Sequence, residues 1–230
     1  MRRNELVLGM RDAFPIVLGY LPLGMAFGVL AGEVGFSIFQ ATMMSVLCFT
    51  GAGQYIAIGI VQAGGAIITI IIANVLVNLR YFLFATSMVP KLKGNVPTLW
   101  AAILSYGLTD ETYAVAMNRY QTHRPSTEYM AALNLTAHAG WISSTLLGAW
   151  LGAFITNTDK LGLGFALPAM YICLLVMVIG RRSDCYVAIL TAVLCLIIGY
   201  FFPPTMVNLS NIIIASIIGA TLGVLFNERS

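Results

Sequence analysis

Thr109-Asp110-Glu111 sets two adjacent carboxyls inside an apolar stretch, where ionised side chains are rare and expensive. On a helix they would point about 100° apart, so each would do a different job. Asp110 would share its face with Tyr106 and Tyr113, and Glu111 with Gly107 and Ala114. A buried carboxyl can exchange a proton near neutral pH, whereas one beside an arginine is held ionised. Arg80 supplies such an arginine from another apolar stretch, at a cost of at least about 2.5–3.5 kcal/mol. It needs a carboxylate, a lipid phosphate or an aqueous cavity. Two readings stay open for these residues. Arg80 is either half of an ion pair that fixes helix register or a ligand for a substrate carboxylate. Asp110 or Glu111 is either the carrier of a coupling proton or the partner in that pair.

A second constellation is Phe49-Thr50-Gly51-Ala52-Gly53-Gln54-Tyr55, which puts two glycines and three hydrogen-bonding side chains in the middle of an apolar run. A half-helix starting after Gly53 would aim amide groups with partial positive charge at an anionic group such as a carboxylate. Thr50, Gly51, Gly53 and Gln54 are therefore candidates for binding a substrate's amino and carboxyl groups. Asn74 and Asn78, four residues apart on one face, would line the path. Pro22 and Gly24 are candidate breaks in the first run, because proline removes a backbone donor and frees a carbonyl one turn earlier. Without water that carbonyl needs a protein partner.

These residues must be positioned by elements that cross a membrane. Of 230 residues, 59% are hydrophobic and only 9% are charged, against about 25% in an ordinary soluble domain. Mean hydropathy is +0.89. A soluble globule of this size could not hide so much apolar surface. A soluble enzyme, a nucleic-acid binder and a disordered chain are excluded, and an all-α polytopic protein in a lipid bilayer is expected. Eight apolar runs stand out: 13–31, 37–61, 66–89, 98–117, 129–155, 163–180, 185–201 and 209–226. The second, interrupted at Thr50–Gln54, either spans or is a re-entrant pair of half-helices. The first is too long for a signal peptide and reads as a membrane helix. Eight crossings place Arg2, Arg3, Arg11, Arg119, Arg124, Arg181, Arg182 and Arg229 on one side and Lys91, Lys93 and Lys160 on the other. That split makes the first side cytoplasmic, with both termini.

The chain is expected to form one transmembrane domain, residues 1–230. A faint echo between Leu23-Gly24-Met25-Ala26-Phe27-Gly28 and Leu147-Gly148-Ala149-Trp150-Leu151-Gly152 suggests halves at 13–117 and 129–226, though two apolar segments can match by chance. Gly24, Gly28 and Gly32, then Gly148 and Gly152, then Ala215, Gly219 and Gly223 form small-residue stripes that suit close helix packing. Cys48, Cys173, Cys185 and Cys195 lack metal-ligand spacing and are expected to be buried apolar residues. His123 should be solvated in the basic connection 118–128. His138, near Asn134 and Trp141, should be satisfied by a neighbouring helix. No metal, cofactor or nucleotide motif is present, and Ser143 and Ser144 beside His138 are the only hint of a hydrolase.

Along nearly its whole length the chain resembles the AzlC family, the large subunit of two-component branched-chain amino-acid exporters. The resemblance rests on Pro22-Leu23-Gly24-Met25-Ala26-Phe27-Gly28, Phe49-Thr50-Gly51-Ala52-Gly53-Gln54-Tyr55, Val77-Asn78-Leu79-Arg80-Tyr81 and Leu108-Thr109-Asp110-Glu111, and more loosely on Gly164-Phe165-Ala166-Leu167-Pro168-Ala169-Met170. It implies export of leucine, isoleucine and valine, with methionine a further candidate, across a bacterial inner membrane. It implies a small AzlD-type membrane partner and energy from the membrane potential or proton gradient. A passive facilitator for another solute and a non-transporting scaffold for a small partner are the rival readings.

Overall fold

The computed structural model describes residues 2–154, 182–203 and 210–227, with isolated positions between 165 and 179. The sixth run, 163–180, and the motif 164–170 lie essentially outside the described residues. Everything regular among the described residues is helical. The helices are α1 (Arg2–Glu33), α2 (Ile38–Leu47), α3 (Ala52–Gln62), α4 (Ile67–Leu92), α5 (Thr98–Ser105), α6 (Asp110–Arg119), α7 (Thr127–Gly152), α8 (Arg182–Phe201) and α9 (Ser210–Asn227). They fall into two compact units, Met1–Leu167 with α1–α7 and Pro168–Ser230 with α8 and α9.

Among the described residues three helices are long and apolar enough to cross a membrane: Asn4–Glu33, Ile67–Leu92 and Ser183–Phe201. Ile67, Ile68, Ile71, Ile72, Val75 and Leu79 on α4 are all about half exposed or more. Water would not tolerate that surface, but hydrocarbon does.

Two of the apolar runs are not continuous helices. The second is α2 and α3, separated at Cys48–Gly51. The fourth, 98–117, is also two half-helices, α5 and α6, separated at Tyr106–Thr109, which corrects the single helix expected there. Gly107 starts the break, and Thr109 then caps α6. The Thr109 side chain accepts from the Thr112 amide at 3.2 Å, while the Thr112 side chain accepts from the Thr109 amide at 2.8 Å. Tyr106 therefore lies in the break and shares no helix face with Asp110. The first run departs the other way. Pro22 and Gly24 do not break it, because α1 runs unbroken for 32 residues with Pro15 and Pro22 inside.

Close packing against α7 explains Gly24 better than a break does. α1 and α7 lie along each other. A Cβ at Gly24 would overlap the Ser144 side chain, one at Gly28 the Thr145 carbonyl, and one at Gly148 the Met25 backbone. Gly152 faces Val29, with an added Cβ 3.1 Å from its Cα. The two echoing sequence segments thus face each other. Gly32, on the same stripe, faces nothing within 4 Å. Gly148→Val should therefore force α1 from α7 and lower the folded yield sharply, by about 1–3 kcal/mol or more. Gly32→Ala should be neutral, and thermal unfolding of the purified variants checks both. In the second unit Gly219 and Gly223 admit Thr191 and Val187 of α8 in the same way.

The cysteines depart from expectation. Cys48 and Cys185 are exposed and Cys195 is half-buried, while Cys173 lies outside the described residues. In a bilayer an apolar side chain gains little from being inside the protein, so their exposure carries no penalty.

Candidate functional site

α7 carries a polar stripe, Asn134, His138, Trp141 and Thr145, at spacings of four, three and four. That stripe satisfies the two broken helices. Asn134 Nδ2 donates to the Leu104 carbonyl near the end of α5 at 2.7 Å. His138 Nε2 donates to the Ser45 carbonyl near the end of α2 at 3.0 Å, and Tyr106 OH donates to the neighbouring Val46 carbonyl at 2.7 Å. Trp141 Nε1 donates to Gln54 Oε1 at 2.8 Å, Gln54 Nε2 to Ser45 Oγ at 2.9 Å, and Ser45 meets Thr145 at 2.8 Å. Gln54, Ser45 and Thr145 are fully buried, so this chain of bonds has no competing water. Ser143 and Ser144 bond carbonyls of their own helix rather than His138, which leaves no nucleophile–base pair there.

A cavity of about 570 Å³ lies between the two breaks. Thr50, Gly53, Gln54, Asn74 and Asn78 line it, with Phe49 and Tyr106 from the two breaks and an apolar wall that includes Met44, Ile70 and Val75. Gly51 is not among the residues that line it. As N-cap of α3 it adopts φ 48°, a left-handed conformation that glycine takes most readily. The Thr50 hydroxyl donates to Asn78 Oδ1 at 2.9 Å and accepts from the Gly53 amide at 3.2 Å, which ties α4 to the start of α3. A Cβ at Gly53 would overlap Asn74 Oδ1. α3 begins at Ala52, two residues earlier than the expected start after Gly53, and its N-cap Gly51 has no side chain to cap it, so the Thr50 hydroxyl takes the Gly53 amide instead.

The second break holds the charge. Asp110 and Glu111 occupy the first turn of α6, where a helix N-terminus favours carboxylates. Arg80 Nη1 lies 2.9 Å from Asp110 Oδ2, with each side chain about a quarter exposed. Glu111 takes a different partner: Tyr20 OH donates to its Oε2 at 2.8 Å and also sits 2.8 Å from Thr109 Oγ1. Arg80 is thus in an ion pair and does not line the cavity.

A third cluster joins the beginning of α1 to the α6–α7 connection. Arg119 Nη2 bridges both Glu5 carboxylate oxygens at 3.0 Å, Ser126 adds a bond to Glu5 at 3.3 Å, and Tyr129 OH donates to Asp12 at 2.8 Å. The Arg119 guanidinium lies 4.3 Å over the Tyr129 ring. Burial pushes the Tyr120 phenol up to about 12 despite the neighbouring Arg119 charge. The basic connection and the basic N-terminus therefore lie together. His123 is exposed, with Nδ1 2.8 Å from the Thr122 hydroxyl. Among the described residues no three His, Cys, Asp or Glu side chains converge as a metal site would require.

Sequence reasoning missed Tyr20, Ser45, Thr145 and Glu5. Tyr20 and Ser45 are single polar residues in apolar runs with no periodic signal. Thr145 was readable, since it continues the stripe of Asn134, His138 and Trp141.

Discontinuous helices around a cavity with a few polar groups define a helical membrane protein of the kind that handles solutes. The chain belongs to the AzlC family: the AzlC protein family matches residues 15–155. It is 32% identical over 203 residues to an uncharacterised membrane protein of Helicobacter pylori J99, covering 84% of this chain and 87% of that one. It is 28% identical over 196 residues to the inner membrane protein YgaZ of Escherichia coli K12, covering 81% and 78%. It is 25% identical over 184 residues to the branched-chain amino acid transport protein AzlC of Bacillus subtilis 168, covering 76% and 70%. No solved structure matches it significantly. The chain is a membrane protein with a transport-related role, and its family is one of transport rather than catalysis.

Proposed function

We propose that this chain is the large subunit of a secondary transporter that exports leucine, isoleucine and valine, and methionine as a further substrate, across the bacterial inner membrane. The proton gradient drives export, both termini are cytoplasmic, and a small AzlD-type membrane subunit completes the transporter. The observation that supports this reading is the cavity at the first break. The start of α3 and the carbonyl end of α2 lie on either side of residues 48–51. The amide end suits a carboxylate and the carbonyl end an ammonium, so the break matches an amino-acid zwitterion. The surrounding wall of Met44, Ile70 and Val75 suits a branched aliphatic side chain and penalises a polar one by desolvation. Thr50, Gly51, Gly53 and Gln54 form the head-group site, and Asn74 and Asn78 line the path.

The test is isoleucine efflux from cells loaded with an isoleucine-containing dipeptide, with this chain expressed with and without the small partner. Efflux above the vector control is expected only with both chains and should fall with an uncoupler. Its absence with both chains in the membrane would remove branched-chain amino acids as the substrate.

A further inference from the structure

We infer that the two adjacent carboxyls divide the work: Glu111, switched through the Tyr20 hydroxyl, couples proton movement to the cavity, while Asp110 holds α4 in place through Arg80. The inference rests on the transport reading above and deepens it.

Asp110 has a cation 2.9 Å away, so protonating it would strand the Arg80 guanidinium. Glu111 instead accepts from a neutral phenol, and protonating it strands no charge. Tyr20 has one hydroxyl proton and two oxygen neighbours, Glu111 Oε2 and Thr109 Oγ1, each at 2.8 Å. With Glu111 ionised, Tyr20 donates to it and accepts from Thr109. When Glu111 takes up a proton it donates to Tyr20, whose own proton turns to Thr109. One proton enters on Glu111 and later leaves from it, and Tyr20 stays neutral throughout.

The Tyr20 ring carries that change to the cavity. It meets the Trp141 ring edge-on at 5.3 Å and the Phe49 ring at 6.1 Å. Trp141 holds Gln54 at 2.8 Å, and Gln54 and Phe49 both line the cavity. The other ionisable groups around Glu111 are Arg80 and Tyr81 on α4 and Asp110 on its own helix. Tyr20 is the one from α1.

The first readout does not depend on the substrate. In the full chain carrying Trp100→Phe and Trp150→Phe, Trp141 is the only tryptophan left. Its emission should titrate with pH in lipid nanodiscs. The titration should vanish in Glu111→Gln, weaken in Tyr20→Phe, and persist in His138→Gln and in the double variant Arg80→Gln with Asp110→Asn. The second readout uses proteoliposomes holding both chains. Glu111→Gln should lower proton-driven isoleucine accumulation at least about tenfold and leave isoleucine–isoleucine exchange within about twofold. Should Glu111→Gln fail to fold, Tyr20→Phe carries both tests, with a displaced pH profile expected. An unchanged emission titration in Glu111→Gln, or undiminished uphill accumulation, would overturn the inference. Absence of isoleucine transport by the parent protein would instead sink the substrate assignment, while the emission titration would still decide the role of Glu111.

Discussion

Gly53→Ala is expected to reduce isoleucine efflux at least about tenfold while leaving the protein as stable as the parent, because the two effects arise from different atoms. In the first turn of α3 alanine is a better helix former than glycine by about 1 kcal/mol, which favours the fold. The added methyl would overlap Asn74 Oδ1 and lie 2.6 Å from Thr50 Oγ1. Both are side-chain ends and can yield, so the backbone need not move. Their displacement breaks the Thr50–Asn78 and Thr50–Gly53 bonds and fills the head-group end of the cavity. Efflux assays alongside thermal unfolding separate the outcomes. Full efflux would place the substrate elsewhere, and a collapse in stability would make Gly53 a packing residue alone.

Breaking the Arg80–Asp110 pair from one side should cost more stability than removing it from both. Asp110→Asn leaves a guanidinium at membrane depth without a carboxylate, a penalty of about 3 kcal/mol. Arg80 Nε is already buried without a partner, and Nη2 keeps a long 3.4 Å bond to the Tyr81 hydroxyl. The expected result is a marked fall in folded yield and unfolding temperature for Asp110→Asn and for Arg80→Gln separately. Recovery of most of that loss is expected in the double variant, which has no charge to strand. Equal losses in single and double variants would mean that the contact contributes little. The double variant also tests transport, since uphill export should survive in it if Glu111 carries the proton.

The first break was legible because Gly51 and Gly53 punctuate an apolar run that would otherwise continue. The second was not. Gly107 alone is common in membrane helices, and Leu108 hides the gap. The available signal was Thr109 with Thr112 three residues on and two acidic residues between, which reads as a helix start rather than a helix middle. Once α6 begins at Asp110, the adjacent carboxyls belong at a helix N-terminus and lose much of their strangeness. Pro22 misled in the opposite direction, since proline in a long, well-packed helix need not end it. The polar lining of the cavity could be listed from residue types. The partnership of Tyr20 with Glu111 could not, because it spans 91 residues and depends on how α1 meets α6.

α4 supplies Asn74 and Asn78 to the cavity and Arg80 to the ion pair, yet none of its apolar spanning window is buried. Its buried residues, Met88 and Leu92, lie at its far end. Near that end the Phe84 ring stacks on Tyr113 at 4.3 Å and Ser87 bonds the Tyr113 hydroxyl at 2.8 Å. The cavity therefore has one wall anchored at its foot and clipped to the rest by a few directional bonds. Tilting that wall outward exchanges side chain for lipid at almost no hydrophobic penalty. Two polar clasps, Thr50–Asn78 and Arg80–Asp110, join it to the start of α3 and to α6. α4 is thus a stave held by two clasps, and weakening either one is expected to loosen that wall of the cavity.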